Sequence, residues 1–422
     1  MSPTGSQPVF RYVGNYDKTY IGYYNSQKEI QIISYDAVKN NFSKPVTLWS
    51  DWGYSSGGVL GDDHANPSII VLSKQKKPQE NGKILVAAAE HGYRLQTRKS
   101  MWPEDISSWG APVSLTDSMA TYARLIELND GRIYLIVRFS HATSNARTTF
   151  FLYTSDDGGN TWPDSRLLVD TDDVKDSSSV YLSTIYDSVR NRVHFIFNIV
   201  TYDDPIKGVA RYKNIYYANY DHTQGKWFNG QGLGIAHGFP LILTQSDLVY
   251  ESKSEPTKED WTYLSDIKLD LGGHPYLLSI NDPGRGDLTV NTDNQDEEIL
   301  RHQWSTQGWV TERVGRSARF SSYVNMATFD SHDTDIIYGF PPNKDGYGEL
   351  TRFTRLQSGS WREEKLTHQT FGEHHARPFA VVDGGVDYPP SGLKLLWCLI
   401  NENYGESPYT EWRSSIMALF ER

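Results

Sequence analysis

Short runs of alternating apolar and polar residues, or of unbroken apolar residues, follow one another along most of this chain. Runs of roughly four to eight residues bounded by Gly, Asn, Asp and Pro are the pattern of strands and turns. No long stretch shows helical periodicity with a cap at each end. The clearest example is Ala120 to Trp162. Tyr122 to Leu128 is apolar and rich in strand formers. Asn129-Asp130-Gly131 is a hairpin turn, since all three residues tolerate positive φ. Arg132 to Phe139 reads as the return strand and Thr148 to Thr154 as a third.

The octet Ser155 to Trp162 closes this unit and fits the Asp-box pattern S-x-D-x-G-x-T-W. It reads as a tight turn capped by Asp and hydroxyl groups, with Trp folded back as a packing plug. Such a turn is structural and carries no chemistry of its own. An aromatic after a turn, then a short strand, recurs at Phe42, Trp109, Trp162, Trp227, Trp309 and Trp361. A period of roughly 50 to 60 residues with four strands each predicts an all-β, seven-bladed β-propeller of four-stranded antiparallel blades. The expected units are about 10–55, 56–118, 119–175, 176–240, 241–315, 316–370 and 371–422, one domain over 1–422. The fifth holds a charged insertion, Glu251 to Asp260, expected as a surface loop. Ring closure requires the two termini to meet in one sheet.

Each unit opens with a similar stretch, expected to be its innermost strand. These are Asp62 to Ile69, Thr121 to Ile126, Ser179 to Leu182, Gly272 to Tyr276, Ser321 to Asn325 and His374 to Phe379. Innermost strands line the channel of a propeller, so their starts gather His, Tyr, Arg and Asn at one mouth. His64 starts the first strand of its unit and His91 ends the second. Tyr122 and Arg138 stand in the same relation in the next unit. Adjacent antiparallel strands run in opposite directions, which puts all four at one end of their sheets.

Composition supports the strand reading and narrows the partners. The chain of 422 residues has 27 Tyr, 12 Trp, 16 Phe and 34 Gly, a strand-and-turn composition. The net charge of −11 comes without a basic tail, which argues against nucleic acid and anionic membrane as partners. A locally basic pocket could still bind a polyanion. Cys398 is the single cysteine, so no internal disulfide forms, and its apolar neighbours predict a buried thiol. Neither a transmembrane run nor a signal peptide is visible. A secreted or periplasmic location is expected, and a cytoplasmic one is compatible.

Taken singly, these candidates have bland readings: a turn His, a core Tyr, an Arg paired to a carboxylate. Together they form a toolkit for uronic acids. Loss of the C5 proton requires neutralisation of the sugar carboxylate, which Arg and His supply. A second His or a Tyr phenolate removes the proton, and a Tyr hydroxyl protonates the departing O4.

The pattern D-D-H-x-N-P, a strand ending in His, and T-Y-x-R-L with Arg138 further on resembles the seven-bladed propeller polysaccharide lyases, including ulvan lyases and rhamnose–glucuronate lyases. The resemblance covers the second to fourth units well, the rest only as blade architecture. It implies His64 and Tyr122 as base and acid in an order left open, and His91 and Arg138 as carboxylate neutralisers. It implies Arg211 as a substrate-binding arginine, with Tyr212, His274, Asn66 and Arg124 as further sugar contacts. His374, His375 and Arg377 are weaker candidates. The hairpin Ser73 to Gly82 is longer than the family pattern, with Lys74 to Asn81 expected as a solvated turn. The implied partner is an anionic, uronic-acid-containing polysaccharide, and the chain is expected to be a monomer.

Three other readings compete. A related propeller family hydrolyses the rhamnose–glucuronate bond and, by resemblance, lacks the full His–Tyr–Arg set. Sialidases need three Arg around a carboxylate, a Tyr–Glu pair and an early Arg-Ile-Pro, which Phe10-Arg11-Tyr12-Val13 does not supply. A non-catalytic carbohydrate-binding propeller is the alternative from a different class. No cofactor is required for the chemistry. A structural calcium stays open at Asp62 and Asp63 or at Asp203 and Asp204, although no calcium-loop spacing appears.

Overall fold

The computed structural model describes residues 9–13, 16–25, 27, 29–50, 52, 67–90, 94–116, 120–139, 148–174, 177–201, 211–255, 258–283, 297–318, 327–343, 348–367, 373–380, 382–383, 392–401 and 414–421. Among them there is no α-helix, only strands, turns and two short 3₁₀ turns. The strands form antiparallel sheets that are local in sequence, four strands in the commonest case. The third sheet shows the plan: Ala120–Glu127, Ile133–Phe139, Thr149–Ser155 and Asp164–Leu167 pair in that order.

Burial explains the apolar runs. Every residue of Ile133–Phe139 is buried, because a second strand is covered on both faces by the neighbouring sheets. The outer strand Trp361–Lys365 is mostly exposed and accordingly charged. Apolar clusters lie between consecutive sheets. Ile32 and Trp49 of the first meet Ile69 and Val86 of the second. Leu85 and Ala87 meet Leu125 and Leu135 of the third. Ile136 and Phe150 meet Val180 and Phe195 of the fourth. Ile215 and Tyr217 meet Leu264 and Leu277 of the fifth. Leu278, Phe329, Phe353 and Leu395 join the fifth, sixth and seventh. Ile21 and Tyr35 with Leu393 and Leu396 bring the last sheet back to the first. Each fully buried Leu, Val or Phe contributes about 1.5–3 kcal/mol. Val382–Asp383 also pairs parallel to Val9–Val13, with Val9 opposite Val382 and Phe10 opposite Asp383.

The expected Asp-capped turn is present. Asp157 Oδ1 accepts from Asn160 N at 3.0 Å and Thr161 N at 2.9 Å, and Asp157 Oδ2 accepts from Thr161 Oγ1 at 2.7 Å. Trp162 folds back on to the second sheet, its Nε1 donating to Thr97 Oγ1 at 3.3 Å.

Two sequence expectations need correction, and a third holds in part. The fifth sheet begins at Trp261–Leu269, and Pro275–Asp282 is its second strand. Gly272 to His274 is therefore a turn, not an opening. The unit boundary at 241 fails as well, because Asp247–Tyr250 bonds to Arg211–Asp221 of the fourth sheet. Finally, Lys74 to Asn81 is largely exposed, as expected of a solvated turn, but its start is docked. Glu127 accepts from Ser73 N at 2.7 Å, Lys74 N at 3.0 Å and Gln75 Nε2 at 2.7 Å, and Gln75 is buried. The Glu251 to Asp260 insertion contains a small hairpin, Ser254–Glu255 with Lys258–Glu259.

Two buried histidines tie this packing to pH. His302 hydrogen-bonds Ser279 Oγ and Thr311 Oγ1, each at 2.8 Å, and burial lowers its pKa from 6.5 to about 3. Burial also lowers His194 to about 3, with Asp187 opposing. The unfolded chain takes up these protons as pH falls below 6.5, and the folded chain does not. Stability present at neutral pH is therefore lost between pH 6.5 and about 3, amounting to about 2 kcal/mol per histidine by pH 5. Thermal melts of the wild type at pH 7 and pH 5 should show this loss. His302→Gln should melt lower at pH 7 and show a smaller drop between the two pH values. Equal drops in both proteins would exclude His302 as a source.

Candidate active site

The third sheet carries the centre of the site. Ala120 lies opposite Phe139 and Thr121 opposite Arg138, and the register then breaks between Thr121 and Arg124. Tyr122 and Ala123 bulge out of the ladder, as extra residues in a strand do. Tyr122 has φ of 57°, a left-handed conformation that costs a non-glycine residue about 1–3 kcal/mol and recurs at functional sites.

Arg138 packs against this bulge. Its guanidinium carbon lies 4.4 Å from the Tyr122 ring centre and 4.5 Å from that of Tyr181. Its Nε donates to Thr121 Oγ1 at 3.1 Å. Tyr122 is 2% and Arg138 5% exposed.

The aromatic row continues across the fourth and fifth sheets. Tyr122 and Tyr181 are 5.6 Å apart, Tyr181 and Tyr212 5.7 Å, and Tyr212 and Tyr263 4.7 Å. Trp261 is 6.4 Å from Tyr212. All lie at one end of their sheets, where first strands begin and second strands finish. Arg211 opposite Thr201 and Trp261 opposite Asp282 mark that end in the fourth and fifth. Behind them, Asn198 Nδ2 contacts Lys213 O at 3.0 Å, Asn214 O at 3.0 Å and Thr262 O at 2.8 Å. This side chain ties the strand carrying Arg211 and Tyr212 to the fifth sheet.

Tyr122, Arg138, Arg211 and Tyr212 thus share one sheet end. Arg124 is engaged differently: its Nη2 donates to Thr184 O of the fourth sheet. Burial lowers its pKa to about 10, against the opposing charge of Asp266. His274 does not join the group. It sits in the turn after Leu269, at the sheet end opposite Trp261, with its side chain 64% exposed and Nδ1 3.0 Å from Asp270 Oδ2. His64, Asn66 and His91 lie outside the described residues. His374, His375 and Arg377 belong to the strand Glu373–Ala380.

Tyr181, Tyr263, Trp261 and Asn198 were not among the sequence candidates. Tyr181 stood in the opening Ser179 to Leu182, where Tyr122 stands in its own unit, and that parallel was the available signal. Trp261 and Tyr263 were hidden by the misplaced start of the fifth sheet. Among the described residues no group of three or more His, Cys, Asp or Glu could hold a metal ion. Asp62, Asp63, Asp203 and Asp204 lie outside them.

Comparison with solved structures gives the same fold over the whole chain. An ulvan lyase bound to a GlcA(1-4)Rha3S unit is similar with a TM-score of 0.72 at 16% identity, covering 100% of this chain and 97% of that one. A second structure of an ulvan lyase of that polysaccharide lyase family gives 0.72 at 17% identity with the same coverage. The polysaccharide lyase Uly1 gives 0.57 at 12% identity, covering 99% of this chain and 89% of that one. No curated protein sequence matches. A family model described as BNR repeat-containing matches residues 18–317, and at that extent the chain belongs to the BNR repeat-containing family.

Proposed function

We propose that the sheets are the seven blades of one propeller, and that the protein is a polysaccharide lyase. It would cleave the bond to O4 of a glucuronate or iduronate next to rhamnose, as in ulvan. The observation that carries this reading is the buried Arg138 guanidinium against the rings of Tyr122 and Tyr181 at a sheet end. A cation held beside two aromatic rings suits a planar carboxylate whose charge must be offset before C5 can lose its proton. Polysaccharide lyases of the same fold support it.

In the proposed reaction a base, His64 or the Tyr122 phenolate, removes the C5 proton. The electron pair forms the C4–C5 double bond as the C4–O4 bond breaks, and an acid, Tyr122 or His64, protonates O4. Arg138 and His91 hold the carboxylate, while Arg211, Tyr212 and Asn66 contact the chain.

Incubation with ulvan, and separately with gum arabic, should raise ultraviolet absorbance from a 4,5-unsaturated uronate. Tyr122→Phe should abolish the rise. Arg138→Lys keeps the charge and loses the planar guanidinium, so kcat/KM should fall by about 10²–10³. Released rhamnose without that absorbance would mean hydrolysis, and no product from either polymer would refute the proposed substrates.

Arg211→Ala should separate binding from chemistry. Loss of one charge-assisted contact should raise KM by about 10-fold or more with kcat within about threefold. A kcat loss of the same size at constant KM would move Arg211 from substrate binding to the reacting centre.

A further inference from the structure

Tyr122 occupies a conformation that its own side chain disfavours, inside a bulge that has lost its ladder bonds. Something outside the strand must hold it. Three attachments surround it in sequence. At position 121, Thr121 Oγ1 accepts from Arg138 Nε at 3.1 Å. At 124, Arg124 donates to Thr184 O of the fourth sheet. At 125, Leu125 N donates to the buried Ser68 Oγ of the second sheet at 3.0 Å. The first belongs to the site already described. The other two reach in opposite directions, to the sheets on either side.

We infer that Arg124 and Ser68 are positioning residues: they fasten the bulge to its two neighbours and so hold Tyr122 in the left-handed conformation that presents its ring to Arg138. Arg124 then acts through the backbone and not by touching the sugar. Burial lowers its pKa to about 10, and the charge of Asp266 opposes that fall. Asp266 is itself fixed by Thr328 Oγ1 at 2.7 Å, Phe329 N at 2.9 Å and Ile267 N at 2.8 Å. The kinetic part of this inference rests on the proposed lyase reaction. The conformational part does not.

A double-mutant cycle on thermal stability tests the conformational part. Glycine adopts positive φ freely, so Tyr122→Gly removes the need for fastening. Arg124→Gln should lower the melting temperature by several degrees alone and by less than half as much when combined with Tyr122→Gly, where non-interacting sites would simply add. Ser68→Ala, a milder change that keeps the sheet intact, should behave the same way with a smaller shift. Additive shifts for both would overturn the inference.

Kinetics on whichever uronate polymer the wild type cleaves test the rest. Arg124→Gln should lower kcat by about 10- to 100-fold, as expected for a misplaced catalytic group, with KM within about threefold. Arg124→Lys should recover part of the loss. A raised KM at unchanged kcat would make Arg124 a substrate contact and refute the positioning role. If the wild type cleaves no such polymer, the proposed function fails and the stability cycle still decides.

Discussion

The first strands of the second to sixth sheets are edges, and much of the arrangement follows from satisfying them. A strand paired on one side only leaves a row of N–H and C=O groups without ladder partners, and burial makes each omission expensive. Neighbouring innermost strands supply the missing partners through side chains. Ser68 accepts from Leu125 N. Arg124 donates to Thr184 O. Ser265 Oγ donates to Ala327 O at 2.6 Å and accepts from Ala327 N at 3.1 Å. Register breaks recur in these strands, at Thr121/Arg124, Ser177/Ser179, Leu264/Asp266 and Ala376/Phe379. A first strand in this fold is therefore polar and bulged for structural reasons, and a site can be assembled from it at small additional cost.

Two buried arginines sit in contrasting environments. Arg301 is 2% exposed and bound to Glu312 and to Asp335, the latter at 2.9 Å, with its guanidinium over Tyr276. Those carboxylates neutralise it, and it bridges the fifth and sixth sheets. Arg138 is nearly as buried but lies against two tyrosine rings and beside a threonine hydroxyl. Ring quadrupoles attract a cation without cancelling its charge.

Legibility in the sequence followed the regularity of each element. Ala120 to Trp162 could be read almost to the residue, because its alternation, its Asn-Asp-Gly turn and its Asp-capped octet agree with one another. The repeated tryptophans also held: Trp227, Trp309 and Trp361 lie in the outer strands that follow a turn. Trp261–Leu269 failed because its bulge puts Ser265 and Asp266 in succession where alternation expects an apolar residue, and both are held by the sixth sheet. The Gly272-Gly273-His274 turn then took its place, and His274 was carried to the wrong end of the sheet. The Lys74 to Asn81 segment is mostly exposed, as read, and only its docked start was not legible. Its polar residues suit solvent, and nothing local reveals that Glu127, more than fifty positions away, gathers their N–H groups.

The bulge that hides a strand from a periodicity reading is also what directs Tyr122. A regular strand would alternate Thr121, Tyr122 and Ala123 across the pleat and keep Tyr122 on the face opposite its neighbours. The left-handed residue breaks that alternation, and Arg138, directly opposite Thr121, can then lie against the Tyr122 ring while bonding the Thr121 hydroxyl. Local propensity opposes this conformation and the surrounding sheets impose it, which is the situation in which a conflict between levels marks function rather than error. The site residues that a strand pattern predicts least well are, for that reason, the ones whose geometry most depends on the whole ring of sheets.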